Sequence, residues 1–482
     1  MNIKISASHT AWGWEQGALA GVTIVLGSLL AFHAASPVAI AAIAGGIAYL
    51  LFSALSVLEP MVFVAVFLII LEIFPPLYLA RLGDRPLYLS FFILPVGFLI
   101  VICRLPDLHF TWDPLAKGLA SFLAGTACSL PFAWWLSGAR TGTESLSRWL
   151  LLSQIGLVYF LIRGGGRRVE ARIEHAIIPL MFLAAGISAA YGIVDFFWPI
   201  SLPHPPLNQF IWLDATILRR AQGVFYESLN FANFCGVFLV VAAAALLTKR
   251  ERYLGLPRWL LVSFMAILSL AVLVAFARST WAATLVAILV FSFQSRLIRV
   301  RRVAVILLAL GVPLVLLWTF FPELWRYFLD VRVRRLAGLF SDPNLTSSGR
   351  FETWLRLLEI MRENPQYLVF GIGYKTLTFT RLFHDEMIAD NGYLSLLLET
   401  GAIGLGSFLL LSAAIMKTFS RLAREGNDSV AFWSALMLAI WCGELVQLVA
   451  VDAYTFWRNM VVLVALMALA LNRAERNQKC LY

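Results

Sequence analysis

The feature that most constrains this chain is a recurring run of about 20 apolar residues with almost no charge, the length needed to cross a ~30 Å hydrocarbon layer. Such runs, bounded by charge, Pro or Gly, fall at roughly 17–34, 37–55, 60–80, 87–104, 114–136, 146–163, 175–198, 225–247, 259–277, 280–295, 303–320, 393–417, 429–450 and 455–472. Lipid offers backbone groups no water, so each run is predicted to be a helix and the chain an all-α, polytopic transmembrane helical bundle of about 12–14 helices. Sixty per cent of the residues are apolar and 14% charged, where a soluble domain carries about 25% charge. That balance excludes soluble enzymes and disordered regulators and makes the lipid bilayer the first partner. The net charge of +10 implies no nucleic acid, because polytopic proteins collect Lys and Arg in their loops.

Five cysteines, Cys103, Cys128, Cys235, Cys442 and Cys480, are scattered without a CxxC pair, which implies neither a disulfide framework nor a zinc site. The N-terminus lacks the basic start and small-residue cleavage site of a removable signal, so the first apolar stretch is expected to stay as a helix. No internal repeat is evident. The expected division is 1–320 for the first helices, 321–392 for a long loop, and 393–482 for the last helices.

Basic residues set the orientation. Of the 38 Lys and Arg, 21 fall at one set of span ends, among them Arg163, Arg168, Arg250, Arg302, Arg421 and Arg476; 8 fall in the short opposite loops, and 9 in the long loop. Short basic loops stay inside, so both termini are expected to be cytoplasmic and the long loop extracytoplasmic. Within that loop, Phe351, Trp354, Leu357, Leu358 and Met361 recur at helical spacing, Ser347 or Ser348 is placed to cap the start, and Pro365 follows the end. This predicts an amphipathic helix lying on the membrane surface or over a cavity.

Acids inside spans are costly and by default mark a cavity or pathway. Here they are Glu72, Asp195, Glu227, Glu399 and Glu444, with Asp452 at a span end. The orientation puts all six in the outer half of the bundle, which suggests a polar chamber opening outward. Arg219, Arg220, Arg278 and Arg350 fall on the same side. Guanidinium groups offer a planar fork of donors suited to phosphate oxygens, so such a set fits a lipid-linked phosphate or diphosphate. Each has a plainer reading as well: Arg278 at the interface can simply snorkel, and each acid can pair with a nearby arginine.

Four segments resemble the O-antigen polymerase and ligase superfamily of integral membrane glycosyltransferases. Arg220-Ala221-Gln222-Gly223-Val224-Phe225, running into Asn230, is similar to the family's Arg…Gly-x-Phe…Asn entry to a span. Ala277-Arg278-Ser279-Thr280-Trp281 resembles its Ser-Arg-Ser/Gly turn. Ser348-Gly349-Arg350 with Trp354, then Phe370-Gly371-Ile372-Gly373, resembles its long-loop pattern. Asp390-Asn391, nine residues, then Gly401-Ala402-Ile403-Gly404 is similar to a signature whose first position is His in the family and Asp here; His384 stands six residues upstream. The likeness covers about 219–411.

The resemblance implies a GT-C-like membrane glycosyltransferase of a bacterial inner membrane, acting at its periplasmic face. Its donor would be an undecaprenyl-diphosphate-linked glycan and its acceptor another glycan or lipid-linked hydroxyl, with a chain-length regulator as a possible partner. By motif position Arg220 and Arg350 would clamp the diphosphate, with Arg278 and Arg219 beside them. Asp390 or His384 would act on the acceptor hydroxyl, supported by Glu227, Asn391 and Glu399. Neither cofactor nor metal is expected. Read from the residues alone, Asp390 ahead of an apolar run is a helix N-cap, Asn391 a turn residue, Tyr374 and Lys375 a solvated loop face, and His204 structural. Polymerisation of repeat units is the preferred reading; transfer to a lipid A-core as a ligase stays open, as does a different class, a polysaccharide transporter or lipid flippase.

Overall fold

A computed structural model describes residues 37–479, apart from 76, 83–84, 109–110, 165–169, 199, 201–209, 214–215, 296–318, 320–348, 381 and 383–387. The expected spans at 17–34 and 303–320, the caps Ser347 and Ser348, His204 and His384 lie outside the described residues. The described helices are α1 (Pro37–Leu58), α2 (Pro60–Ile73), α3 (Leu89–Arg104), α4 (Pro114–Ala127), α5 (Leu130–Gly164), α6 (Glu170–Phe197), α7 (Ser228–Thr248), α8 (Arg258–Val274), α9 (Arg278–Gln294), α10 (Arg350–Glu363), α11 (Tyr367–Phe370), α12 (Gly392–Glu425), α13 (Asp428–Gln447) and α14 (Trp457–Lys479). Six of them, within α5, α6, α7, α12, α13 and α14, are long and apolar enough to cross a membrane. The all-α polytopic class is borne out, with two small additions. Leu77–Leu82 pairs antiparallel with Arg85–Leu87, and Phe210–Leu213 with Thr216–Arg219, as short hairpins in the loops.

Two span boundaries need correction. The run at 60–80 stays helical only to Ile73, because Phe74 precedes Pro75 and takes an extended backbone (φ −88°, ψ 128°), as residues before proline do. The runs at 114–136 and 146–163 predict two spans with a loop between them. Instead α4 ends at Ala127, and α5 runs from Leu130 to Gly164 through a break at Gly138, whose φ of 84° suits glycine.

The bundle is built around α7, whose side chains are buried along nearly its whole length, as befits a helix that is apolar on every face. Small residues let neighbours close in, as they do between membrane helices generally. A Cβ on Gly443 would lie 2.6 Å from the Ala283 carbonyl, which brings α13 against α9, and Gly125 leaves the same kind of space for Ser407 between α4 and α12. One end of the bundle is stapled by charge. Arg163 on α5 binds Asp113, the N-cap of α4, at 3.1 Å, and also Glu475 and Asn472 on α14.

At the other end the helices break and turn. Gly401 interrupts α12 with a φ of 68°, and a Cβ there would run into the Val369 carbonyl; a Cβ on Gly371 would meet the carbonyl of Glu399. Two backbones therefore touch, with glycine on each side. A left-handed conformation costs a non-glycine residue about 1–2 kcal/mol before any clash. Gly401→Ala is thus expected to lower the midpoint of thermal unfolding clearly, and an unchanged midpoint would show that the contact does not hold α12 in place.

Candidate functional site

The junctions at this second end carry most of the residues that the sequence singles out. The stretch before α7 docks on the turn between α8 and α9: Ala221 N donates to the Val274 carbonyl at 3.1 Å, and Arg220 Nε to the Ala275 carbonyl at 2.9 Å. Phe276, next in that turn, has a φ of 52°, and Arg278 opens α9 two residues later. Arg350 opens α10, and its Nε donates to Asp390 Oδ2 at 2.9 Å across 40 residues of chain. Arg278 and Arg350, far from Arg220 in sequence, thus both come within its electrostatic reach. Burial pulls the Arg220 guanidinium down to about 10, and Arg350 and Arg278 push it the same way. Crowding of like charge is costly in a poorly solvated place, and a bound anion would relieve it.

A second pole lies beside the first. After the Gly371-Ile372-Gly373 turn, Lys375 adopts a φ of 56° and its ammonium forms an ion pair with Asp452, in the segment between α13 and α14. Glu399, just before the α12 break, accepts from Lys375 N at 3.0 Å, Leu377 N at 3.1 Å and the Tyr454 hydroxyl at 3.2 Å. Burial alone would lower Lys375, but Asp452, Glu399 and Glu227 around it outweigh that and hold its ammonium above its ordinary range. Burial raises the Glu227 carboxyl, which feels Lys375, Asp452, Asp390 and Arg220 together. The site is therefore polarised, with guanidinium groups at one pole and carboxylates around a pinned lysine at the other.

Backbone strain gathers here too. Of the four non-glycine residues with positive φ among those described, Phe276, Lys375 and Asp390 line this site and Lys249 does not. Each such conformation stores about 1–3 kcal/mol and persists only where its surroundings over-determine it, as at binding and catalytic sites.

Several sequence expectations change at this point. Asp390 does not cap α12. Its backbone is left-handed (φ 44°) and its carboxylate faces Arg350, while Asn391, with an extended backbone, accepts from the amides of Tyr393 and Leu394 at 3.1 Å. The cap of α10 is likewise Gly349, with a φ of 80° and no side-chain bond. Tyr374 and Lys375 are not a solvated face: Tyr374 is 2% exposed, and Ser145 donates to its carbonyl at 2.6 Å. Arg219, one residue from Arg220, forms an ion pair with Asp195 at 2.5 Å. The outer acids also do not share one chamber. Glu72 lies near Arg458, and Glu444 accepts from Asn233 at 2.7 Å within the helices.

The predicted helix of the long loop is present as α10. Leu357 and Met361 bury against Ile372, Leu377, Ala389 and Leu398, so it packs over the turn that carries Lys375, and Trp354 Nε1 donates to the Ala389 carbonyl at 2.7 Å. Phe351 and Leu358, counted on the same face, are 44% and 47% exposed. Sequence reading missed Arg148. It is 6% exposed, donates to the Lys375 carbonyl, and its guanidinium lies 4.2 Å from the centre of the Phe379 ring. It stands at the start of the apolar run 146–163, beside Glu144, Ser145 and Ser147, where an arginine ordinarily reads as a loop end.

Residues 263–409 match the O-antigen ligase family. This bears out the O-antigen ligase-like resemblance over a stretch that holds Arg278, Arg350, Lys375, Asp390, Asn391 and Glu399; the segment with Arg220 and Glu227 precedes it. The match supports a multi-pass membrane enzyme of the O-antigen ligase and polymerase type. No curated protein matches the chain.

Proposed function

We propose that the protein is a membrane glycosyltransferase that joins polyprenyl-diphosphate-linked oligosaccharide units, as a polysaccharide polymerase at the periplasmic face of a bacterial inner membrane. One observation carries this reading, the convergence of Arg220, Arg278 and Arg350 at the end of the bundle where Lys375, Asp452 and Glu399 also meet. In this reading Arg220 and Arg350 hold the donor's diphosphate, with Arg278 as a third donor. Charge that develops on the departing oxygen is stabilised by donors already in place, the effect that often supplies the largest share of catalysis. Two guanidinium groups can do this without a metal. Arg219, engaged by Asp195, is left to position the hairpin in front of Arg220.

The acceptor hydroxyl attacks the anomeric carbon from the acidic pole. Asp390 and His384 are candidates for its proton by motif position, and Glu227 is a further candidate within the cluster. The ion pair with Arg350 gives Asp390 a further task, aiming the guanidinium fork at the diphosphate. A second reading follows from the description of the matched family: transfer of the finished glycan to a lipid-core hydroxyl, as a ligase.

Purified protein supplied with a polyprenyl-diphosphate repeat unit is expected to yield a ladder of longer lipid-linked glycans, in the presence of EDTA as in its absence. A single transfer to a lipid core without lengthening supports the ligase. If neither product forms, the glycosyl-transfer reading is wrong.

A further inference from the structure

Among the described residues four carboxylates face this site, and three are already held. Asp390 binds Arg350, Asp452 binds Lys375, and Glu399 takes two backbone amides and a tyrosine hydroxyl. Glu227 differs. It occupies the N-cap of α7, where an acid ordinarily folds back onto the first-turn amides, yet its side chain makes no capping bond. Among the described residues its carboxylate has neither a hydrogen bond nor an ion pair. It also lies within electrostatic reach of both poles, of Arg220 in one and of Lys375 in the other.

We infer that Glu227 is the general base that takes the acceptor hydroxyl's proton; the inference rests on the glycosyl-transfer reading above. In the step, the acceptor oxygen bonds to the anomeric carbon as that carbon's bond to the diphosphate oxygen breaks. The electron pair leaves with the diphosphate, held at the guanidinium pole, and the hydroxyl proton passes to the Glu227 carboxylate. The anomeric carbon must lie between diphosphate and acceptor, and Glu227 is in reach of the groups at both poles. Its neighbours suit the task. Burial, helped by Asp452 and Asp390 and opposed by Lys375 and Arg220, holds the carboxyl above the usual carboxylate range, and a base works best with a proton affinity near the working pH.

Glu227→Gln keeps the shape and removes the base. With purified full-length protein and a polyprenyl-diphosphate-linked glycan, kcat is expected to fall about 10²–10⁴-fold while KM for the donor is unchanged. Wild-type activity is expected to rise with pH as this carboxyl loses its proton, and that rise should vanish in Glu227→Gln. Glu227→Asp, which keeps a carboxylate on a shorter arm, should recover part of the rate. Asp390→Asn and His384→Ala, assayed alongside, should keep the rise with pH. A Glu227→Gln variant with the wild-type rate, or with the wild-type pH profile at a lower rate, overturns the base assignment and leaves the transfer reading standing. A wild-type protein that transfers no glycan overturns both.

Discussion

Arg350→Ala is expected to lower the rate of glycan transfer by about 10²–10³-fold, the usual loss when one preorganised donor to a developing oxyanion is removed. The protein should still insert and fold, because Arg350 is the first residue of α10 with its side chain 24% exposed, and the helix is held by Leu357 and Met361 further along. The variant also frees Asp390, which then faces the diphosphate as an unpaired negative charge. Part of the loss is therefore repulsion, and the double variant Arg350→Ala/Asp390→Ala should be more active than Arg350→Ala alone. Arg350→Lys keeps the charge without the planar fork and should fall between wild type and alanine. Initial rates of wild type, Arg350→Ala, Asp390→Ala and the double variant form a cycle, and strict additivity would mean that the ion pair has no part in the site.

Glu399→Ala is expected to cost about 3–5 kcal/mol of stability as well as activity, as removal of one member of a buried charged set commonly does. Glu399 is 2% exposed, and its carboxylate receives the Lys375 and Leu377 amides and the Tyr454 hydroxyl. Alanine leaves those donors unmet in a place that water does not reach, and Lys375 loses one of the acids around it. The turn at 371–377 should then come away from α12, seen as a lower denaturation midpoint in detergent and as faster proteolysis within 371–380. Glu399→Gln preserves an acceptor and should lose less. Wild-type resistance in both variants would show that the turn is held by its glycines and apolar contacts alone.

Much of the fold was legible because a membrane helix announces itself by length and lack of charge, which depend on neighbouring residues only. The helix at 350–363 was legible for the same reason, as its apolar positions recur at helical spacing. What stayed hidden depends on contacts between distant segments. Nothing local distinguishes Asp390 from Asn391 as the cap of α12; the choice follows from the left-handed turn at Asp390 and from Arg350 lying opposite. Lys375 reads as surface because a lysine after Gly-x-Gly ordinarily is, and its ammonium is held by Asp452, 77 residues away. The arginines could be named from motif and charge, but Arg219 and Arg220 are adjacent, and only the position of Asp195 separates the one that is held from the one that faces the cluster.

The central claim is that guanidinium groups from separate segments grip one diphosphate, and equilibrium binding tests it without requiring turnover. Polyprenyl diphosphate and polyprenyl monophosphate are titrated into the purified protein in lipid nanodiscs, and the titration is repeated with Arg220→Ala and Arg350→Ala. A charge-assisted hydrogen bond is worth about 1.5–3 kcal/mol, so each variant should bind the diphosphate roughly 10–100-fold more weakly and lose most of the preference over the monophosphate. Equal affinity of wild type and both variants for the diphosphate would contradict the account.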